Sequence, residues 1–119
     1  MASILRVNTL TDASSGNSTA MSTINKGTAK AWVFGDVDAS LFDSYNISSS
    51  VDNGTGNYSY NLANSFSSVN YVVVGSAEGD NDRGLQVDVT SSSVYVVFLR
   101  QAGSYTNLRN HSVAQGDLA

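Results

Sequence analysis

The sequence predicts an all-β fold, either an antiparallel β-sandwich or a barrel-like domain, preceded by an extended N-terminal segment. Short runs rich in valine, tyrosine and phenylalanine recur along the chain, and turns of glycine, serine and asparagine separate them. That pattern is typical of short antiparallel strands. No window combines the apolar period of a helix with capping residues, so we predict no helix.

Residues 1–26 are predicted to be an attachment or oligomerisation segment followed by a linker. Residues 4–10 alternate loosely, as a strand does, whereas residues 12–22 have the serine- and threonine-rich composition of a connector. Two interpretations remain open, because such a segment can pair with a neighbouring subunit or form an ordinary first strand of its own domain. The start of the chain lacks the features of a signal peptide, which predicts synthesis in a cytoplasm without secretion.

Residues 27–119 are predicted to form the β domain itself. Its first strand covers residues 29–34, and residues 35–43 form a loop or a short irregular strand. A hairpin follows over residues 46–62. Its turn reads Asp-Asn-Gly-Thr-Gly at residues 52–56, and these residue types tolerate a positive φ.

The second half of the β domain is predicted to contain four strands. Residues 71–74 and 94–99 are apolar on both faces, which is typical of central strands covered on both sides. Residues 85–90 alternate cleanly, so one face should be buried and the other exposed. Residues 91–93 form a turn, and the last strand covers residues 111–114.

The composition excludes several classes of function. Charged residues make up 13% of the 119 residues, about half of the roughly 25% usual in globular proteins. The net charge is −4 and the six basic residues are scattered along the sequence, which argues against nucleic-acid binding. There is no cysteine for a disulfide or a thiolate metal site, and no apolar run reaches the ~20 residues of a transmembrane helix. With few charges to protect its sheet edges, the protein is expected to bury edges in a homo-oligomer.

Three segments carry a resemblance to a known family. Residues 27–33 read GTAKAWV, residues 43–49 read DSYNISS and residues 52–58 read DNGTGNY. In this order they resemble a module of tailed-bacteriophage fibre proteins, common at the distal ends of tail fibres and in short virion-surface proteins of marine phages. Residues 71–76 and 112–114 with 116–117 are similar to the later strands of that module. Residues 3–7 with 9–10 are similar to the short N-terminal segment that often precedes it, so the resemblance covers most of the chain from about Ser3 onward.

The resemblance implies a structural, non-enzymatic protein on the surface of a virion, assembled as a homotrimer. We expect the N-terminal segment to contact other virion proteins and the outer loops to attach to a host-surface glycan, without membrane insertion. The chain has no long fibre shaft, which favours a small spike or knob over a distal tail fibre. A capsid decoration or head fibre is the alternative, and a glycan depolymerase is a third possibility.

The predicted receptor contacts lie in the turns near residues 53–57, 78–83 and 91–93 or directly next to a turn. Tyrosines next to turns are included because they combine contact area with a polar group. The individual residues are Asn53, Gly54, Thr55, Asn57, Tyr58, Asp80, Asn81, Asp82 and Tyr105. Trp32 is interpreted either as a sugar-stacking platform or, more commonly for a lone tryptophan, as part of the core or a subunit interface.

No catalytic residue, cofactor or metal site is predicted. Asp80, Asn81 and Asp82 offer oxygen ligands but lack the full loop that supplies calcium with its about six to eight oxygens, so a solvated turn is favoured. His111 is the only histidine, and without cysteine it lacks the partners of a zinc site or a catalytic triad. Two aspartates could in principle hydrolyse a glycan, but no deep cleft is indicated.

Overall fold

A computed structural model describes residues 3–79 and 82–119. Within these ranges the chain forms short strands and one short helix, so the all-β prediction is confirmed. The N-terminal part contains β1 (Thr9–Thr11), β2 (Ser18–Ala20) and α1 (Met21–Gly27). The remaining strands are β3 (Ala29–Gly35), β4 (Leu41–Tyr45), β5 (Ile47–Gly54), β6 (Asn57–Leu62), β7 (Val72–Ala77), β8 (Arg83–Ser91), β9 (Val94–Gln101), β10 (Ser104–Tyr105) and β11 (Asn110–Gln115).

The strands from β3 onward form two sheets. One, the β3 sheet, has the strand order β4-β3-β11-β7. The other, the β6 sheet, has the order β5-β6-β9-β8, with β10 paired to the end of β9. Every pairing in both sheets is antiparallel, as predicted.

The core lies where the buried faces of the two sheets meet. Tyr60 and Tyr95 of the β6 sheet are completely buried, and their hydroxyls reach across to the β3 sheet. The Tyr60 hydroxyl donates to Asn110 Oδ1 at 2.8 Å, and the Tyr95 hydroxyl lies 2.8 Å from Ser112 Oγ. These partners satisfy polar groups that would otherwise be costly to bury. Burial raises the pKa of Tyr60 to about 12 and also raises that of Tyr95.

Most predicted strands are confirmed to within one or two residues. β3 and β11 match residues 29–34 and 111–114, and the predicted hairpin corresponds to β5 and β6. β8 and β9 are joined by a turn that includes Ser92 and Ser93, also as predicted. Residues 35–43 form a loop up to Ser40, after which β4 begins.

The prediction that residues 71–74 form a covered central strand is wrong. β7 is the last strand of the β3 sheet, and Val72 and Val74 are 61% and 60% exposed. Only the alternate side chains, such as Val73, pack against the core. β9 does lie between β6 and β8, and its outward-facing Val96 is half-buried.

The N-terminal part differs from its prediction. β1 pairs with β2 in a separate two-stranded sheet, so the interpretation of residues 4–10 as the first strand of the β domain is wrong. The helix α1 was not predicted because it has seven residues, no buried side chain and no side-chain N-cap bond. Every residue from 3 to 20 is exposed. Within the described residues, no helix is long and apolar enough to cross a membrane.

The loops that connect the strands of the β domain lie at two opposite ends of it. The loop end contains residues 36–40, 52–57 and 102–109, together with Glu78 and Asp82. Contacts among these loops hold it together: Glu78 N donates to Arg109 O at 2.8 Å, and Ala102 N donates to Asp82 O at 2.9 Å.

The opposite end, here the linker end, receives the N-terminal part of the chain. There Gln115 Nε2 donates to Gly27 O at 2.8 Å. The turn at residues 91–93 also lies at this end, because Leu62 N donates to Ser93 O at 2.8 Å. The prediction that grouped residues 91–93 with residues 53–57 is therefore wrong: β6 and β9 are antiparallel, which separates the two turns by the length of the sheet.

Candidate functional site: a cleft at the loop end

A cleft of about 280 Å³ opens beside the turn between β5 and β6. It brings together five of the predicted contact residues with one that was not predicted, Phe98 of β9. The lining residues are Asn53, Gly54, Thr55, Asn57, Phe98 and Tyr105. The structure thus places Tyr105 next to a turn that lies far from it in the sequence.

Glycine is required where the turn meets the neighbouring loop. Gly56 has a φ of +64°, and a Cβ at this position would lie 2.5 Å from Leu99 O. Its N–H donates to Asn107 Oδ1 at 2.8 Å, and its carbonyl accepts from Leu99 N at 2.7 Å. The first bond attaches the turn to residues 102–109 and the second attaches it to β9, so the turn is fixed relative to both.

Side-chain amides form the polar wall of the cleft. Asn53 Nδ2 donates to Ser59 Oγ at 2.6 Å and to Asn57 Oδ1 at 3.3 Å. Asp52 Oδ1 accepts from Gly54 N at 2.9 Å, which fixes the backbone of the turn. These bonds orient the side-chain amides of Asn53 and Asn57. Among the described residues, Asn53 Oδ1 and Asn57 Nδ2 have no hydrogen-bond partner, so both atoms are available to a ligand.

Tyr105 forms the aromatic wall, with 50% of its surface exposed. Arg100 holds it in two ways: the guanidinium carbon lies 4.5 Å from the ring centroid, and Nη2 donates to the Tyr105 hydroxyl at 2.9 Å. Phe98 supports the ring from the strand side, with centroids 6.4 Å apart. An oriented aromatic ring beside amide groups suits a ligand that has both an apolar face and hydroxyl groups.

Tyr58 was predicted as a surface contact, and this is wrong. Its side chain is completely buried, because it shares the inward face of β6 with Tyr60 and Leu62. Its hydroxyl donates to Val37 O. Burial, with a smaller contribution from nearby carboxylates such as Asp52, raises its pKa to about 12.

The predicted contacts near residue 80 are only partly described. Asp80 and Asn81 lie outside the described residues. Asp82 is exposed at the loop end with a φ of +63°, and it does not line the cleft. Among the described residues, no group of three or more histidine, cysteine, aspartate or glutamate side chains could hold a metal ion.

A second cleft, of about 340 Å³, also lies at the loop end and has Asn107 in its lining. Two arginines that are distant in the sequence meet there, which the linear pattern of charges did not reveal. Arg109 Nε donates to Asp36 Oδ1 at 3.1 Å, and Arg83 Nη1 donates to Glu78 O at 2.7 Å. Each guanidinium group donates to an acceptor within the protein, and the buried Arg83 Nε has no partner among the described residues. The first cleft is the better candidate site because it gathers five of the predicted contact residues.

Trp32 lines neither cleft. It is on the outward face of the β3 sheet, half-buried, and its neighbour across the strands is Tyr45. Its side chain therefore does not belong to the core between the two sheets.

Comparisons of the chain with protein-family models, with curated proteins and with solved structures found no match.

Proposed function

We propose that this protein is a non-enzymatic surface protein of a bacteriophage virion, a small spike or knob that attaches to a glycan on the host surface. The cleft lined by Asn53, Asn57 and Tyr105 carries this proposal. It combines an oriented aromatic ring with oriented amides, and it opens at the loop end. The N-terminal part joins the domain at the linker end, which suits a protein anchored at one end that presents the other.

The architecture in this proposal is a β-sandwich assembled as a homotrimer. The β3 and β6 sheets are its two layers, and the bonds from Tyr60 to Asn110 and from Tyr95 to Ser112 join them. Sugars contacted by one ring and a few amides bind weakly. Several clefts displayed together would raise the overall affinity through avidity.

Binding of the purified protein to an array of defined bacterial surface oligosaccharides tests the proposal. Tyr105→Ala removes the ring and should abolish binding, whereas Tyr105→Phe keeps the ring and should retain most of it. Asn57→Ala should weaken binding. The matched control is Asn61→Ala, which changes the same residue type on the same face of β6 outside the cleft. Loss of binding with Asn61→Ala, or its retention with Tyr105→Ala, would place the site elsewhere.

A capsid decoration or head fibre is the second candidate, and the exposed apolar side chains of the N-terminal part favour it. Ile4 and Leu5 are 74% and 81% exposed, as expected of a segment that docks onto another protein. Deletion of residues 2–20 should prevent incorporation into particles. If the shortened protein is still incorporated, the N-terminal part is not the anchor.

A further inference from the structure

The outward face of the β3 sheet is unusually apolar for a surface open to solvent. Val72 and Val74 are about three-fifths exposed, and Tyr45 and Phe42 are 56% and 49% exposed. Half-buried side chains lie between them. We call this surface the aromatic face, and its members are Trp32, Phe34, Phe42, Tyr45, Val72, Val74 and Val113.

The apolar side chains form a continuous row across all strands of the sheet. Tyr45 is paired with Trp32, Trp32 with Val113, and Val113 with Val74. Paired residues on neighbouring strands project from the same side of a sheet, so these four side chains are contiguous. Such patches mark interaction sites in soluble proteins.

A second row of rings lies beside the first. The ring centroids of Phe34 and Phe42 are 4.7 Å apart, and those of Phe34 and His111 are 4.5 Å apart. Charged side chains accompany this row: Arg109 lies over Phe42, Glu78 lies 3.5 Å from His111, and Asp43 is the cross-strand partner of Phe34 beside Phe42 on the outermost strand. An apolar centre with a polar rim is the usual organisation of a protein–protein interface.

The outward face of the β6 sheet provides an internal comparison. Most of its positions are polar, as expected for a face in contact with water, and its apolar side chains are interspersed among them. The polar members include Ser49, Ser59, Asn61, Gln86 and Asp88, and the apolar ones are Val51, Val94, Val96 and Phe98. The two outward faces belong to the same molecule, so their difference is not explained by overall composition. One face is suited to solvent, and the aromatic face is suited to a partner.

The N-terminal part presents a second uncovered apolar surface. Residues 3–20, here the arm, include Ile4, Leu5, Val7 and Leu10, and all four side chains are exposed. The arm connects through α1 to Gly27, whose carbonyl is bonded by Gln115. Gln115 pairs with Val72, so the arm leaves the domain beside the edge of the aromatic face.

The size of the aromatic face indicates what covers it. Four strands about 4.8 Å apart, each contributing about six residues at ~3.3 Å, give a footprint of roughly 400 Å². A stable interface needs about 800 Å² from each partner. The face, measured as a flat projection, is smaller than this accessible area, and the exposed arm adds to the surface that an interface could bury.

We propose that the aromatic face binds a second copy of this chain, whose arm lies across it. A second copy is favoured because each chain carries both uncovered surfaces, so exchange of arms between copies covers both at once. This step rests on the homo-oligomer in the proposed function and identifies its interface, but it does not depend on glycan binding.

The test measures the mass of the full chain by size-exclusion chromatography with light scattering over a range of concentrations. The wild-type chain should be an oligomer that dissociates on dilution. Val74→Asp should yield a monomer, because it places a charge within the row at a side chain that is 60% exposed. Val51→Asp is the matched control, because Val51 is 45% exposed on the outward face of the β6 sheet. Leu5→Ser tests the arm and should weaken association at least tenfold.

Trp32, the only tryptophan, provides a second readout. Its emission should shift to shorter wavelength as the oligomer forms, and Val74→Asp should remove the concentration dependence. A wild-type monomer at every concentration would overturn the proposal, as would an oligomer disrupted by Val51→Asp but not by Val74→Asp. A monomer with blue-shifted emission would mean that the arm covers its own sheet, which also overturns it. Glycan binding by a monomeric variant would show that the cleft functions independently of this interface.

Discussion

The Tyr60 hydroxyl donates a 2.8 Å hydrogen bond to the amide oxygen of Asn110, and both residues are completely buried. The bond joins the central strands of the two sheets. Gly35 lies against the same hydroxyl, where a Cβ would come within 2.6 Å of it. The alignment of the two sheets therefore depends on a polar contact inside an apolar core.

Tyr60→Phe should lower the free energy of unfolding by roughly 1–3 kcal/mol, because it leaves the buried Asn110 oxygen without its donor. Urea denaturation followed by circular dichroism would measure the change. Tyr105→Phe is the control, since the Tyr105 hydroxyl lies on the surface, and it should change stability by less than about 0.5 kcal/mol. Equal effects of the two substitutions would mean that the buried bond contributes no more than an exposed one.

Gly56→Ala should destabilise the protein by roughly 2 kcal/mol or more, because a Cβ there meets Leu99 O and the backbone has a positive φ. Gly84→Ala is the matched control, since no described atom outside its two chain neighbours lies within 4 Å of its Cβ position. It should be nearly neutral. Thermal unfolding of both variants would show the difference, and a neutral Gly56→Ala would disprove the close approach between the turn and β9.

Stability should fall steeply in alkaline solution. Burial raises the pKa values of Tyr58, Tyr60 and Tyr71 to about 12, while tyrosine in the unfolded chain ionises near pH 10. The unfolded state therefore loses protons first, so the stabilising effect is complete below pH 10 and is lost as pH rises to about 12. Denaturant midpoints between pH 8 and pH 12 would follow this loss. A midpoint that does not change across the interval would contradict the assigned burial.

Arg100→Gln should weaken glycan binding several-fold and leave the fold intact, because Arg100 positions the ring of Tyr105. Arg109→Gln is the charge-matched control, since Arg109 lines the neighbouring cleft. Binding to the same oligosaccharide array at two salt concentrations would distinguish positioning from attraction. If both substitutions weaken binding equally, and high salt abolishes the difference between the wild type and each variant, the effect arises from net charge.

Local sequence patterns predict most of the strands, and the pattern of β6 also indicates that Tyr58 is buried. The alternation of Tyr58, Tyr60 and Leu62 places all three side chains on one face, which already indicates that Tyr58 is buried if Tyr60 is. The alternation along β6 therefore outweighs the position of Tyr58 next to a turn. The helix α1 could not be predicted, because a seven-residue helix without a buried face has no periodic signal.

The order and direction of strands in a sheet are not encoded in local sequence, and most of the wrong predictions concern these two properties. Residues 71–74 have the composition of a central strand, but β7 lies at an edge. The meeting of Tyr105 with Asn53 depends on β10 and β6 both pairing with β9. The assignment of residues 91–93 to the wrong end has the same origin, because the direction of β9 relative to β6 decides where that turn lies.

A cryo-EM map of a phage particle whose genome encodes this chain would test the proposed location on a virion most directly. The map should show the β domain on the outer surface, with residues 3–20 toward the particle and the cleft at Tyr105 facing outward. A particle that lacks this protein would contradict the account, and so would a map in which the loop end is buried against the shell.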